Sequence, residues 1–210
     1  GKDLYKVSDT IIITKVDEAY IHVDCERNVA QELSDYFTFY VPGYQFTPAY
    51  KNRLWDGKIR MYDMRSNKMY HGLVPYIEKF CEERDYKIFV EPKVNLTENF
   101  SIKEAQEFIT TLNLPFEVRD YQIQSFVHAI RNRRILLLSP TASGKSLILY
   151  LILRMIQDME HKKGLLIVPT TSLVEQMYSD FESYGYDSEK YCHKQYAGKD
   201  KFSDKFLTIT

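Results

Sequence analysis

Between residues 4 and 24 apolar and polar side chains alternate, and Asp17-Glu18 interrupts the pattern. A period of two puts successive side chains on opposite faces, so this stretch predicts a hairpin with strands near 10–16 and 19–24. From Glu26 the period lengthens: Val29, Leu33, Tyr36 and Phe37 recur at helical spacing, which predicts a short amphipathic helix over 26–37. Strand character returns at 37–41 and stops at the Pro42-Gly43 turn. A second helix is predicted over 73–84, with Val74, Ile77, Phe80 and Cys81 on one face and Pro75 in its first turn. Residues 86–90 read as another strand. Residues 1–91 therefore read as a small α+β domain.

The pattern then changes. Residues 91–101 are polar, and Ser101 with Glu104 fits a capping box that opens a helix to about Leu112. Residues 92–115 read as linker and helix. Beyond them helix and strand alternate: helix 119–132, strand 134–138, helix 145–160, strand 164–168, helix 171–184, and strands near 191–196 and 205–210. Such alternation predicts a parallel α/β sheet for residues 116–210.

The chemistry concentrates where the apolar run Ile135–Leu138 meets the helix opening at Lys145. Strand, turn-rich loop, Gly144-Lys145-Ser146 and helix is the layout of a phosphate-binding P-loop. Backbone N–H groups of Pro140, Thr141, Ala142, Ser143 and Gly144 (all but the proline's) would wrap the phosphates of ATP. Lys145 would reach the β and γ phosphates, and the Ser146 hydroxyl would take one place on Mg²⁺. Lys145 and Ser146 are thus the expected catalytic pair. Ser139 stands where the general pattern has its first Gly.

Two further stretches carry weight. Arg119-Asp120-Tyr121-Gln122 precedes the P-loop by about twenty residues, and the Gln122 amide can both donate and accept, as an adenine edge requires. Leu165 to Gln176 runs from a buried strand through Pro169-Thr170-Thr171 into a helix, a place where free N–H groups and hydroxyls suit a nucleic-acid phosphate.

Composition narrows the picture. The chain has 210 residues and a net charge of −1, so attraction to nucleic acid must come from local patches. Residues 51–68 supply one: Lys51, Arg53, Lys58, Arg60, Arg65 and Lys68 face only Asp56 and Asp63, with Tyr44, Phe46, Tyr50, Trp55, Tyr62 and Tyr70 interleaved. The aromatics are expected to pack inward. The basic residues read as a nucleic-acid contact or a solvated face, and Lys51, Arg53, Lys58 and Arg60 are the candidates for contact. Asp56-Gly57 reads as the turn of a hairpin leading into 58–62. Cys25, Cys81 and Cys192 lack paired spacing and read as free thiols of a reducing cytoplasm, not as a zinc site. No apolar stretch reaches the length of a membrane span.

Pro140 to Ser146 resembles motif I of superfamily 2 helicases, where the first Gly is not required. Arg119–Gln122 resembles their Q-motif, and Pro169–Thr171 resembles motif Ia. Tyr-x-Phe-x-Pro at 44–48, Trp-Asp-Gly-Lys-Ile-Arg at 55–60 and Gly-Leu-Val at 72–74, followed by this helicase start, look like the UvsW-type recombination helicases of T-even-like phages. The resemblance implies an incomplete RecA-like domain behind the small α+β domain, ATP and Mg²⁺ as cofactors, and Arg119 and Gln122 beside the nucleotide. It also implies branched or duplex DNA and RNA–DNA hybrids as partners, without a membrane and with a monomer favoured. The implied activity is ATP-driven branch migration, fork regression and hybrid unwinding. A restriction-type translocase and a P-loop phosphotransferase are the competing readings. No Asp-Glu-x-Asp/His segment follows residue 180, so the expectation is an N-terminal portion that hydrolyses ATP poorly alone.

Overall fold

A computed structural model describes residues 9–95, 98–140 and 142–210, and it divides the chain into two compact units, Gly1–Leu96 and Thr97–Thr210. In the first, β1 (Thr10–Lys15) and β2 (Tyr20–Asp24) form the predicted hairpin, with Ile13 opposite Val23. Its turn sits at the polar break because the Asp17 carboxylate accepts the N–H groups of Ala19 and Tyr20 at 2.8 and 2.7 Å. Helix α1 (Arg27–Tyr36) and β3 (Thr38–Tyr40) follow, then a short helix α2 (Pro48–Lys51) and β4 (Lys58–Arg60). β5 (Tyr62–Asp63), β6 (Lys68–Tyr70), α3 (Val74–Arg84) and β7 (Lys87–Val90) complete the unit. The main sheet has the order β5-β6-β2-β1-β7, antiparallel except where β7 joins β1. Alternation puts Ile11, Ile13, Ile21 and Val23 on one face, clustered with Val29 and Leu33 of α1 and Ile77 and Phe80 of α3. Each such side chain, fully buried, contributes about 1.5–3 kcal/mol.

β3 pairs antiparallel with β4 as a separate two-stranded ribbon. The sequence suggested a tight hairpin at Asp56-Gly57. The strand partner of 58–60 instead lies at 38–40, and the ribbon closes where the Val41 N–H donates to the Gly57 carbonyl at 2.9 Å. The turn chemistry of Asp56-Gly57 is real, since Asp56 accepts the Lys58 N–H at 3.1 Å and Gly57 has φ +82°, but it feeds a long loop.

In the second unit, α4 (Ile102–Thr111) opens with the predicted capping box: Ser101 Oγ accepts the Glu104 N–H at 3.1 Å, and the Glu104 carboxylate accepts the Ser101 N–H at 2.7 Å. This helix, grouped with the linker in the sequence, packs into the unit's core through Ala105 and Phe108, the latter against Phe126 of α5 (Asp120–Asn132). Helix α6 (Lys145–Met155) ends in a π-helical turn, Ile156–Glu160. β8 (Gly164–Leu166), α7 (Thr171–Ser183), α8 (Ser188–Tyr191), β9 (Cys192–Lys194) and β10 (Leu207–Ile209) follow. The sheet is parallel, with β10 between β8 and β9. Tyr150, Leu151, Phe126, Phe181, Leu207 and Ile209 form its core.

One predicted strand is not formed. Residues 135–140 have no regular structure, and Leu136 and Leu138 are 81% and 89% exposed. An apolar run becomes a strand only where a neighbour takes its N–H and C=O groups. Among the described residues the strands of this sheet pair through β10, and none offers 135–138 a ladder. No helix among the described residues is long and apolar enough to cross a membrane.

Candidate nucleotide and nucleic-acid sites

Helix α6 begins at Lys145, as the Gly-Lys-Ser spacing requires, with Gly144 as its N-cap. Ala142 and Gly144 both have left-handed backbones, φ +63° and +76°, on either side of Ser143. Alternating handedness turns successive N–H groups toward one side, a concavity suited to an anion. Ser139 does not have a positive φ, so no glycine is needed there; its hydroxyl bonds the Ser143 hydroxyl across the loop. Thr141 lies outside the described residues, and Pro140 is exposed at the loop's entrance.

The loop is braced from α5. Gln122, only 6% exposed, donates from Nε2 to the Ser143 carbonyl at 3.2 Å, and its Oε1 accepts the Arg119 N–H at 3.0 Å. The Tyr121 hydroxyl donates to the same Ser143 carbonyl at 2.8 Å. Because the peptide unit is planar and trans, a carbonyl held toward α5 aims the Gly144 N–H away from it, to the other side of the loop. The brace also explains Gly144: a Cβ there would stand 2.3 Å from Gln122 Nε2. Gln122 lies beside the P-loop, with its oxygen and one N–H used on the chain's own backbone. The Arg119 guanidinium reaches the Tyr121 hydroxyl at 3.4 Å.

A cleft of about 330 Å³ opens beside the loop, lined by Phe116, Arg119, Gln122, Ser143, Gly144 and Tyr184 among others. Lys145 is exposed at the loop, while Ser146 is half-buried and its hydroxyl bonds the Tyr184 hydroxyl at 2.8 Å. Burial pushes the Tyr184 phenol up, and the bond to Ser146 pulls the other way. The set fits a magnesium-bound nucleotide: an anion cradle of backbone N–H groups, one ammonium, and one hydroxyl on the first turn of a helix eleven residues long. Phe116 and Tyr184 had no local sequence signal. Tyr184 meets Ser146 across 38 residues, only because α6 and α7 pack together.

At the start of α7, Thr170 is the N-cap, and its hydroxyl accepts the Leu173 N–H at 3.3 Å while sharing a 3.0 Å bond with Ser172. Pro169, Thr170 and Thr171 are all exposed. The cap leaves the Thr171 hydroxyl and the first N–H groups of the helix for an outside acceptor.

In the first unit the four basic candidates fare differently. Lys51 and Arg53 are exposed and border a hollow of about 580 Å³ with Gln45, Leu54 and Trp55. The Lys58 ammonium lies 4.9 Å from the Tyr40 ring centre. Arg60 grips Asp56 with two nitrogens, at 3.3 and 2.5 Å, which holds the Asp56 carboxyl at about 2, below the usual carboxylate range. The aromatics mostly pack: Tyr40 stacks on Tyr44 at 4.7 Å, Tyr44 meets Tyr50 edge-on at 4.8 Å, and Trp55 donates to the Lys58 carbonyl at 2.9 Å. Phe46 stands out, 78% exposed and five residues before Lys51.

Residues 10–91 match the family described as DNA helicase UvsW, N-terminal, and residues 119–209 match the DEAD/DEAH box helicases. The chain is 36% identical over 195 residues to the ATP-dependent DNA helicase uvsW of Enterobacteria phage T4, an alignment covering 90% of this chain and 38% of that protein. It thus spans about two fifths of that relative's length. A crystal structure of the UvsW helicase from bacteriophage T4 superposes with a TM-score of 0.86 at 33% identity, covering 95% of this chain and 74% of that one. A second crystal structure of T4 UvsW gives 0.85 at 32% identity, covering 95% and 42%. With both units matched, at this identity and over this much of a solved relative, the chain belongs to the UvsW family of DNA helicases.

Proposed function

We propose that these residues are the N-terminal portion of an ATP-dependent DNA helicase acting on branched DNA, by junction branch migration, fork regression and unwinding of RNA–DNA hybrids. One observation carries the nucleotide part: the left-handed P-loop is braced by Gln122 and Tyr121, with Lys145 and Ser146 opening an apolar helix behind it. Pro140 to Gly144 cradle the phosphates, Lys145 neutralises them, and Arg119 and Gln122 border the base side of the cleft. Ser146 supplies one ligand to Mg²⁺, which when bound shields the phosphate charge. Pro169, Thr170 and Thr171 contact the tracked strand's backbone, and Lys51, Arg53, Lys58 and Arg60 contact duplex or branched DNA. The protein works as a monomer in the cytoplasm, that of the host if it is phage-encoded.

Lys145→Ala in the full-length protein is the direct test. ATP hydrolysis and unwinding should fall to background while binding to a forked duplex stays within about twofold, since uniform phosphate contacts lie elsewhere. A variant that still unwinds overturns the phosphate role of Lys145.

A further inference from the structure

We propose that Tyr184 is a positioning residue for Ser146: from the cleft side its phenol takes one of the two lone pairs of the serine oxygen and must yield it when a magnesium–nucleotide complex binds in that cleft. The inference rests on the P-loop reading above and adds a residue that no helicase motif in this sequence contains. Tyr184 closes the C-terminal end of α7, and its ring is fixed on three sides, edge-on to Phe116 at 5.5 Å and against Tyr150 at 5.3 Å and Phe181 at 6.4 Å. That packing presents the hydroxyl to Ser146 Oγ at 2.8 Å, inside the cleft that borders Gly144. A phenol is a far better proton donor than an aliphatic alcohol, so Tyr184 donates and Ser146 accepts. A metal arriving through the same cleft needs the lone pair that faces it, the one the phenol holds. In this arrangement the bond and the metal compete, whereas phosphates alone, held by backbone N–H groups and Lys145, do not meet Tyr184.

The test compares ADP binding, with Mg²⁺ and with EDTA, by calorimetry on the full-length protein. Tyr184→Phe keeps the ring and its packing. It should bind ADP with Mg²⁺ about fivefold tighter than the wild type, the effect of one ordinary hydrogen bond, with affinity in EDTA unchanged. An unchanged or weakened response to Mg²⁺, or an equal gain in EDTA, overturns the proposal. Ser146→Ala separates the two readings: it should remove the Mg²⁺ response in both backgrounds. If instead the Mg²⁺ response survives Ser146→Ala, the metal role of Ser146 falls, and this inference with it. As a second measurement, 3-fluorotyrosine at position 184 should shift its ¹⁹F resonance on adding Mg²⁺ with ADP and not on adding ADP alone; no difference between the two overturns the proposal.

Discussion

Replacing Gly144 by Ala tests the brace between α5 and the P-loop. The substitution adds one methyl group to a residue at φ +76°, where an L side chain costs about 1–2 kcal/mol. The new Cβ would also stand 2.3 Å from Gln122 Nε2. That amide is the end of a flexible side chain, yet both of its ends are held, by the Ser143 carbonyl and the Arg119 N–H. Moving it loses at least one bond, about 1 kcal/mol. Gly144→Ala should therefore destabilise the second unit by about 2–3 kcal/mol. The single tryptophan, Trp55, lies in the first unit, so fluorescence reports that unit and should show an unchanged denaturation midpoint. Hydrogen exchange should show the loss in α5 and α6. In a Gln122→Ala background the steric part vanishes, and Gly144→Ala should cost only its backbone strain, a coupling of about 1 kcal/mol. Unchanged protection in α5 and α6, or strictly additive single variants, would refute the reasoning.

Asp56→Asn releases Arg60 from its two-point grip, so binding of the full-length protein to a forked duplex should tighten and the slope of log affinity against log salt should steepen by up to about 1; no change in slope would show that Arg60 does not face DNA. Because the Asp56 carboxyl is lowered in the folded protein, its contribution is present above the unfolded value near 3.8 and is lost only as pH falls toward about 2, so neutral-to-mild-acid titration should leave the ribbon intact. Burial pushes the thiols of Cys81 and Cys192 up to about 11 and about 12, and a thiol reagent at pH 8 should modify both only after denaturation, with the half-buried Cys25 reacting first; rapid native labelling of Cys192 would contradict its burial in the sheet.

Most elements were legible because each announces itself locally. The capping box of Ser101 and Glu104, the glycine before Lys145 and the period of Val29 and Leu33 are all readable within a few residues. Ile135–Leu138 was equally apolar, yet a strand is a relation between two segments, and hydrophobicity cannot say whether the second is there. The Asp56-Gly57 turn was misjudged for the same reason, since its strand partner lies before the turn by some twenty residues. In the candidate site, the loop and Gln122 follow from spacing. Tyr184 does not, because its meeting with Ser146 depends on how two helices pack. The charge pattern exposed Arg60 but not its partner's grip, which leaves Lys51 and Arg53 as the freer cations of that cluster.

The position of β10 sets an order on biosynthesis. Among the described residues β8 and β9 do not pair with each other; each pairs with β10, which follows both of them in the chain. The first unit's main sheet, in contrast, is complete once β7 ends at Val90. At about 5–20 residues per second, the ribosome takes roughly 6–24 s to travel from Val90 to Ile209. During that interval the first unit can fold while β8 and β9 still lack the strand that joins them. A nascent chain stalled before Leu207 would then carry a folded N-terminal unit on an open, protease-sensitive C-terminal half.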